Sequence, residues 1–231
     1  RLLPNAGELI SHPDIRLLTK TAVCHMAAMA RYNREGGVVA AASEGVRCLL
    51  GLSCLGLITT PDRVKCGSLN TRFTTDEQAS RRLNESIRMI GNQGRRYGAI
   101  VMGPLDLVPV EPQVVAMYVS PAQALRLAIA FAHRNGEAID TTITGQGSLC
   151  AAIAKSAEDN RIVFDLPCVG DRAYGLVQEH EMLVTLPADL AQGLVEGVRS
   201  TETVARHPYS PFLSWSPIIW PEFDPQANDF S

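Results

Sequence analysis

Val114-Val115-Ala116-Met117-Tyr118-Val119-Ser120-Pro121-Ala122-Gln123 carries two kinds of structure end to end. The first six residues are β-branched, aromatic or apolar and read as a strand. Ser120 is then a helix N-cap, Pro121 stands at N1 and Gln123 at N3, the pattern of a capping box. The helix is expected to run to about His133 and to stop at Asn135-Gly136. A strand passed directly to a capped helix places the chain among mixed folds.

Upstream, Ala99 to Met102 is a second β-type run. Pro104, Pro109 and Pro112 separate it from Val114 and forbid one continuous central strand. Gly91, Gly94 and Gly98 break the chain before it. Thr74 as N-cap and Glu77 at N3 predict a helix reaching about Met89. The stretch from Ser43 to Leu57 is too continuously apolar for a solvent-facing helix and is expected to be buried. Thr21 to Arg34 reads as an Ala-rich helix ended by Gly36-Gly37, and residues 1–20 show no strand pattern.

Downstream, Ile139 to Ile143 reads as a strand. Gly145-Gln146-Gly147-Ser148 opens a short helix carrying Cys150. Arg161 to Leu166 is a strand ending at Pro167-Cys168, followed by a turn at Gly170-Asp171-Arg172. Glu181 to Leu186 is another strand, and Pro187 is expected at N1 of an amphipathic helix to about Arg199. The fold class is therefore α/β in the mixed α+β sense, with short strands alternating with amphipathic helices around one core. Residues 1–200 form a single domain. Residues 201–231 form an irregular extension with both tryptophans and five of the 14 prolines, expected to make a subunit contact.

Composition narrows the function. Across 231 residues, 21 basic and 24 acidic side chains give a formal charge of −3, without the basic excess of a nucleic-acid surface. A hydrophobic content of 46% argues against disorder. No apolar run approaches the ~20 residues of a membrane span. The six cysteines are too sparse for a disulfide scaffold and form no C-x-x-C pair, which favours a reduced, cytoplasmic protein.

Two segments could carry chemistry. A glycine-rich turn feeding a helix favours an anion at its N-terminus, so Cys150 after Gly145 and Gly147 could be a thiolate nucleophile or metal ligand. Cys168 follows a strand beside Asp171 and Arg172, whose planar fork would hold a thiolate or substrate carboxylate. The plain alternatives are a small core cysteine and a local Asp–Arg pair. Cys24 opens a helix and Cys48 follows Arg47. His25 invites a metal reading, although a lone helical histidine is more often surface or satisfied core. No metal-ligand histidine pair, nucleophile elbow or phosphate loop is present.

Several of these residues occur in a familiar order. Pro109-x-x-Pro112-x-Val114-Val115, Pro121-Ala122-Gln123-Ala124-x-Arg126-Leu127, the Gly-x-x-x-Cys150 helix start, Leu166-Pro167-Cys168-x-Gly170-Asp171-Arg172 and a closing Glu181-to-Pro187 segment follow one another. The chain thereby resembles the family catalogued as domain of unknown function 169, the archaeal conserved region group, over roughly Ala22 to Arg199. The match is most specific from Pro109 to Pro187. The resemblance implies that Cys24, Cys48, Cys150 and Cys168 belong together. Cys54 and Cys66 match no family position and are candidates for ordinary burial.

Four cysteines at helix starts or loops suit one shared centre, and soft thiolates select iron–sulfur clusters or zinc. The expectation is a metalloprotein with a 4Fe-4S cluster on Cys24, Cys48, Cys150 and Cys168, with Gly145 and Gly147 donating N–H groups to it. Asp171 and Arg172 would act on a small polar or aromatic acid in lyase or hydrolase chemistry. The alternatives are an electron-transfer subunit with a fully ligated cluster, and a homo-oligomer with structural zinc or plain core cysteines.

Overall fold

The protein is described by a computed structural model over residues 1–3, 12–18, 22–25 and 37–202. Its strands are β1 (Leu2–Leu3), β2 (Ile15–Leu17), β3 (Val38–Ala42), β4 (Ala99–Met102), β5 (Val114–Val119), β6 (Val163–Asp165) and β7 (Met182–Pro187). Its α-helices are α1 (Leu49–Cys54), α2 (Asp62–Lys65), α3 (Glu77–Glu85), α4 (Pro121–Asn135), α5 (Ser148–Asp159), α6 (Val169–Gly175) and α7 (Ala188–Ser200). This is the mixed α+β class.

The strands form two sheets. The first has order β1-β4-β3-β2, with β3 antiparallel to β4 and parallel to β2. The second has order β5-β7-β6 and is antiparallel throughout, with Val114 opposite Pro187 and Phe164 opposite Val184. Alternation along the strands sorts side chains to opposite faces. Val39, Ala41, Ile100 and Met102 from the first sheet, and Val163 and Leu183 from the second, join α1 and α5 in one core. Val115, Met117, Val119, Phe164, Val184 and Leu186 point the other way, under α4 and α7. Val38, Ala40 and Val101 form a smaller third cluster. The single core expected from the sequence is thus divided by the sheets into layers.

α5 is the central element. Its residues from Ser148 to Ala154 are all buried, and its alanines allow close approach to the second sheet. Ser156 Oγ is 2.8 Å from Thr185 Oγ1 on β7, which satisfies both hydroxyls inside the core. At its start Gly147 has φ +60°, a left-handed conformation that glycine adopts without penalty.

Several expectations need correction. Residues 1–20 hold the two short strands β1 and β2, whose ladders are set by long-range partners that no local pattern reveals. α3 is capped by Asp76, not Thr74: Asp76 Oδ1 accepts from Ala79 N at 2.7 Å, and the helix ends at Glu85. Ile139 to Ile143 is not a strand. It lies alongside β6 but is tied by side chains, Thr141 Oγ1 donating to Phe164 O and Arg161 to Asp140 O, without a backbone ladder.

The expected turn at Gly170-Asp171-Arg172 is helical, because Cys168 and Asp171 cap each other's backbone at the start of α6. Pro187 is the N-cap of α7, one position before N1. The capping box at Ser120 and Gln123 is present, and α4 ends at Gly136 in the left-handed conformation. Apart from its first residues, the Ala-rich helix expected from Thr21 to Arg34 lies outside the described residues, as does the extension from residue 203 onward. Among the described residues no helix is long and apolar enough to cross a membrane.

Candidate functional site

The site is built where α1, α5 and α6 begin. Cys48 is the N-cap of α1, and its Sγ accepts from Gly51 N at 3.4 Å. Cys150 lies in the first turn of α5. Cys168 is the N-cap of α6, directly after β6 and Pro167. Cys24 and His25 come from the connection between β2 and β3. Cys48 and Cys168 each serve the backbone as a cap.

Two glycines show how closely the sulfurs gather. A Cβ added to Gly51 would lie 3.1 Å from Cys150 Sγ, and 3.5 Å from both Cys48 Sγ and His25 Nδ1. A Cβ added to Gly170 would lie 3.6 Å from both Cys168 Sγ and Cys24 Sγ. Cys24 Sγ also donates to Gly170 O at 3.7 Å. The two groups adjoin, since Cys150 feels Cys54, Cys48, Asp171 and Cys168 electrostatically, and Cys168 feels Asp171 and Cys24. The four cysteines singled out in the sequence therefore share one region.

The structure adds three residues to them. Cys54, at the end of α1, is completely buried, as ordinary burial would require, but it also stands in the field of Cys48 and Cys168. Tyr118 on β5 faces the same core, and its hydroxyl is coupled to Asp171, Cys150, Cys168 and Cys24. His25 is only 1% exposed, and its Nδ1 is 3.8 Å from Cys150 Sγ. Strand alternation from Val114 would have placed Tyr118 on this face, and adjacency to Cys24 was the one signal for His25. Cys66 is not buried: it is exposed, with its thiol hydrogen-bonded to Ser68 at 3.3 Å, and stands apart.

Burial dominates the electrostatics. It pushes the Cys150 and Cys54 thiols well up, with neighbouring cysteines adding to the effect. Cys168 is pushed up to about 11 by burial and then by Asp171. The Asp171 carboxyl rises to about 6, chiefly through burial, although Cys168 N donates to it at 3.1 Å. Burial lowers His25 to about 4 and keeps the imidazole neutral. At neutral pH these buried thiols are protonated, so a metal must displace their protons.

Arg172 donates from one terminal nitrogen to Gln178 O at 2.6 Å. Gly147 stands over Leu50 and 3.6 Å from Cys54 Sγ, measured from its added Cβ, whereas an added Cβ at Gly145 meets nothing within 4 Å. Among the described residues no group of three or more His, Cys, Asp or Glu side chains is placed to hold a metal ion, so the sulfurs as they stand do not fit one. The lack of a Cβ at Gly51 and Gly170 lets the sulfurs pack close against the backbone there, and His25 Nε2 has no hydrogen-bond partner among the described residues.

The family model described as uncharacterised ArCR, domain of unknown function 169, matches residues 2–197. The chain belongs to this family. The match to domain of unknown function 169 begins before Ala22, so β1 and β2 are part of the family's region, and it takes in every residue of the cysteine site. No curated protein and no solved structure matches the chain.

Proposed function

We propose that the protein is a cysteine-ligated metalloprotein that holds a 4Fe-4S cluster at the site of Cys24, Cys48, Cys150 and Cys168, with three of the four as ligands, and acts on a small polar or aromatic acid as a lyase or hydrolase. The observation that carries this reading is the gathering of four sulfurs from distant parts of the chain beside Gly51 and Gly170. Cysteine is a common core residue, but burying this many thiols together gives the core no packing advantage over aliphatic residues. When bound, a cluster held by three of the thiolates would supply an iron that polarises a substrate oxygen.

Acid–base groups beside the sulfurs favour an enzyme over an electron-transfer subunit. Asp171, with its carboxyl near 6, exchanges a proton close to neutral pH and serves as the general acid or base. Tyr118 stays protonated and donates from its hydroxyl. Arg172 meets the substrate carboxylate with the part of its fork not bonded to Gln178. Cys48 and Cys168 are only partly buried and mark the side from which substrate enters.

The test is anaerobic reconstitution with iron and sulfide, followed by spectra with and without a panel of small carboxylic acids. A brown protein whose spectrum responds to one acid is expected. A cluster indifferent to every acid favours electron transfer, and zinc in place of iron favours a structural site. The extension from residue 201 is part of the proposal as a subunit contact, by virtue of its Trp and Phe residues. Truncation after Ser200 should reduce the size in gel filtration, and an unchanged size would contradict it.

A further inference from the structure

The second sheet has two edges, and only one of them is guarded. On β5, Val114 stands opposite Pro187 of β7, and proline has no N–H to exchange across a ladder. Antiparallel ladders alternate bonded and unbonded pairs, so Val115, Met117 and Val119 turn their backbone groups toward β7. Val114 and Ala116 turn theirs outward. The same alternation carried across β7 points Phe164 O out at the β6 edge, where Thr141 Oγ1 donates to it. The outward groups of Val114 and Ala116 have no hydrogen-bond partner among the described residues.

Sheet edges are commonly blunted by a charge, a proline, a bulge or shortness. β5 has six residues with no charge and no proline among them, and its register with β7 runs unbroken. All but Val119 are only half-buried. A cleft of about 230 Å3 opens beside Val114 and Ala116, walled by Val101, Val108 and Val110, and Leu105 at its rim is exposed. Whatever pairs here must be extended, so that its main chain meets the outward groups. It must also be apolar, so that its side chains suit the cleft.

We infer that β5 pairs antiparallel with β5 of a second copy of this chain, joining two three-stranded sheets into one continuous sheet. A two-fold axis sets this edge against itself, so that the outward N–H and C=O groups of each copy answer those of the other. Under that symmetry a charge on the strand would stand near its own like, a penalty that the uncharged run from Val114 to Val119 avoids. The contact uses neither the cysteine site nor the extension from residue 201, so it does not depend on the proposed function.

Sedimentation velocity of the full chain should show an even number of chains per particle. Ala116→Pro removes an outward N–H and no bond to β7, so it should halve that mass with the circular dichroism unchanged. Leu105→Lys, at an exposed loop position, should weaken association by roughly tenfold or more through the like charges it brings together. In amide exchange, Ala116 should be protected in the parent and fast in Leu105→Lys, while Met117, bonded to β7, stays protected in both. A monomeric parent, or folded variants that both keep the parent's mass, would overturn the pairing. So would an Ala116 amide that exchanges as fast in the parent as in Leu105→Lys. A mass that falls on truncation after Ser200 but in neither variant assigns the contact to the extension and overturns it too.

Discussion

The two faces of the second sheet bury very different chemistry. Toward α4 and α7, Val119, Ala124, Ala130, Ile162, Phe164, Val184, Leu186 and Leu194 make an aliphatic layer with one aromatic ring. In the core on the other side, where β7 packs on α5 and α5 on α1, Cys24, Cys54, Cys150 and Tyr118 are buried or half-buried, and His25, Ser148 and Asp171 are buried too. His25 Nε2, Ser53 Oγ and Ser148 Oγ are buried there without hydrogen-bond partners among the described residues. Unpaired buried polar atoms cost stability, and aliphatic packing would avoid that cost. The first layer is what folding alone requires. The second keeps buried polar atoms that aliphatic packing would avoid.

Substitution should separate the two layers. Cys150→Ser or Cys168→Ser should remove nearly all bound iron while the metal-free chain stays folded, as metal analysis beside circular dichroism would show. Retention of full iron would break the contrast. On the other face, Leu186→Ala should cost about 3 kcal/mol in denaturant unfolding through the cavity it leaves, with iron uptake unchanged.

Titration sharpens the difference further. Asp171 has a folded pKa of about 6 against 3.8 ordinarily, so the stability held by its neutral form is complete below 3.8 and lost as pH rises to about 6. That loss amounts to about 3 kcal/mol. His25 works in the opposite sense: with about 4 against 6.5, its contribution is complete above 6.5 and lost as pH falls to about 4. In the metal-free protein the two slopes oppose each other. Asp171→Asn should therefore make stability fall more steeply on acidification from pH 6 to 4 than in the parent chain. Identical curves would show that Asp171 is not held neutral by the site.

Smaller effects complete the series. Gly51→Ala places a methyl 3.1 Å from Cys150 Sγ and should reduce iron occupancy several-fold, while the better helix former leaves the metal-free fold intact. Ser120→Ala, far from the sulfurs, should cost about 1 kcal/mol through loss of the α4 cap and leave the metal untouched.

The sequence was most legible where local chemistry decides structure. The β5–α4 junction shows both its alternation and its capping box, and both are present. β1 and β2 were hidden because two- and three-residue strands gain their meaning from partners about a hundred and some twenty residues away. The segment from Ile139 to Ile143 has strand composition but no backbone partner, so composition misled. At the site, the four cysteines could be grouped by their helix-start and turn settings together with the family pattern. Cys54, His25 and Tyr118 could not, because a helix end, a histidine and a strand tyrosine have no local mark of where they will point.

Under the proposed function the polar layer holds an iron–sulfur centre. The decisive measurement is iron and acid-labile sulfide per chain in protein purified and reconstituted without oxygen, with its visible spectrum. About four irons and four sulfides per chain, lost together in Cys150→Ser, is the expected result. A colourless chain that takes up neither, with its thiols free to titrate, would contradict it.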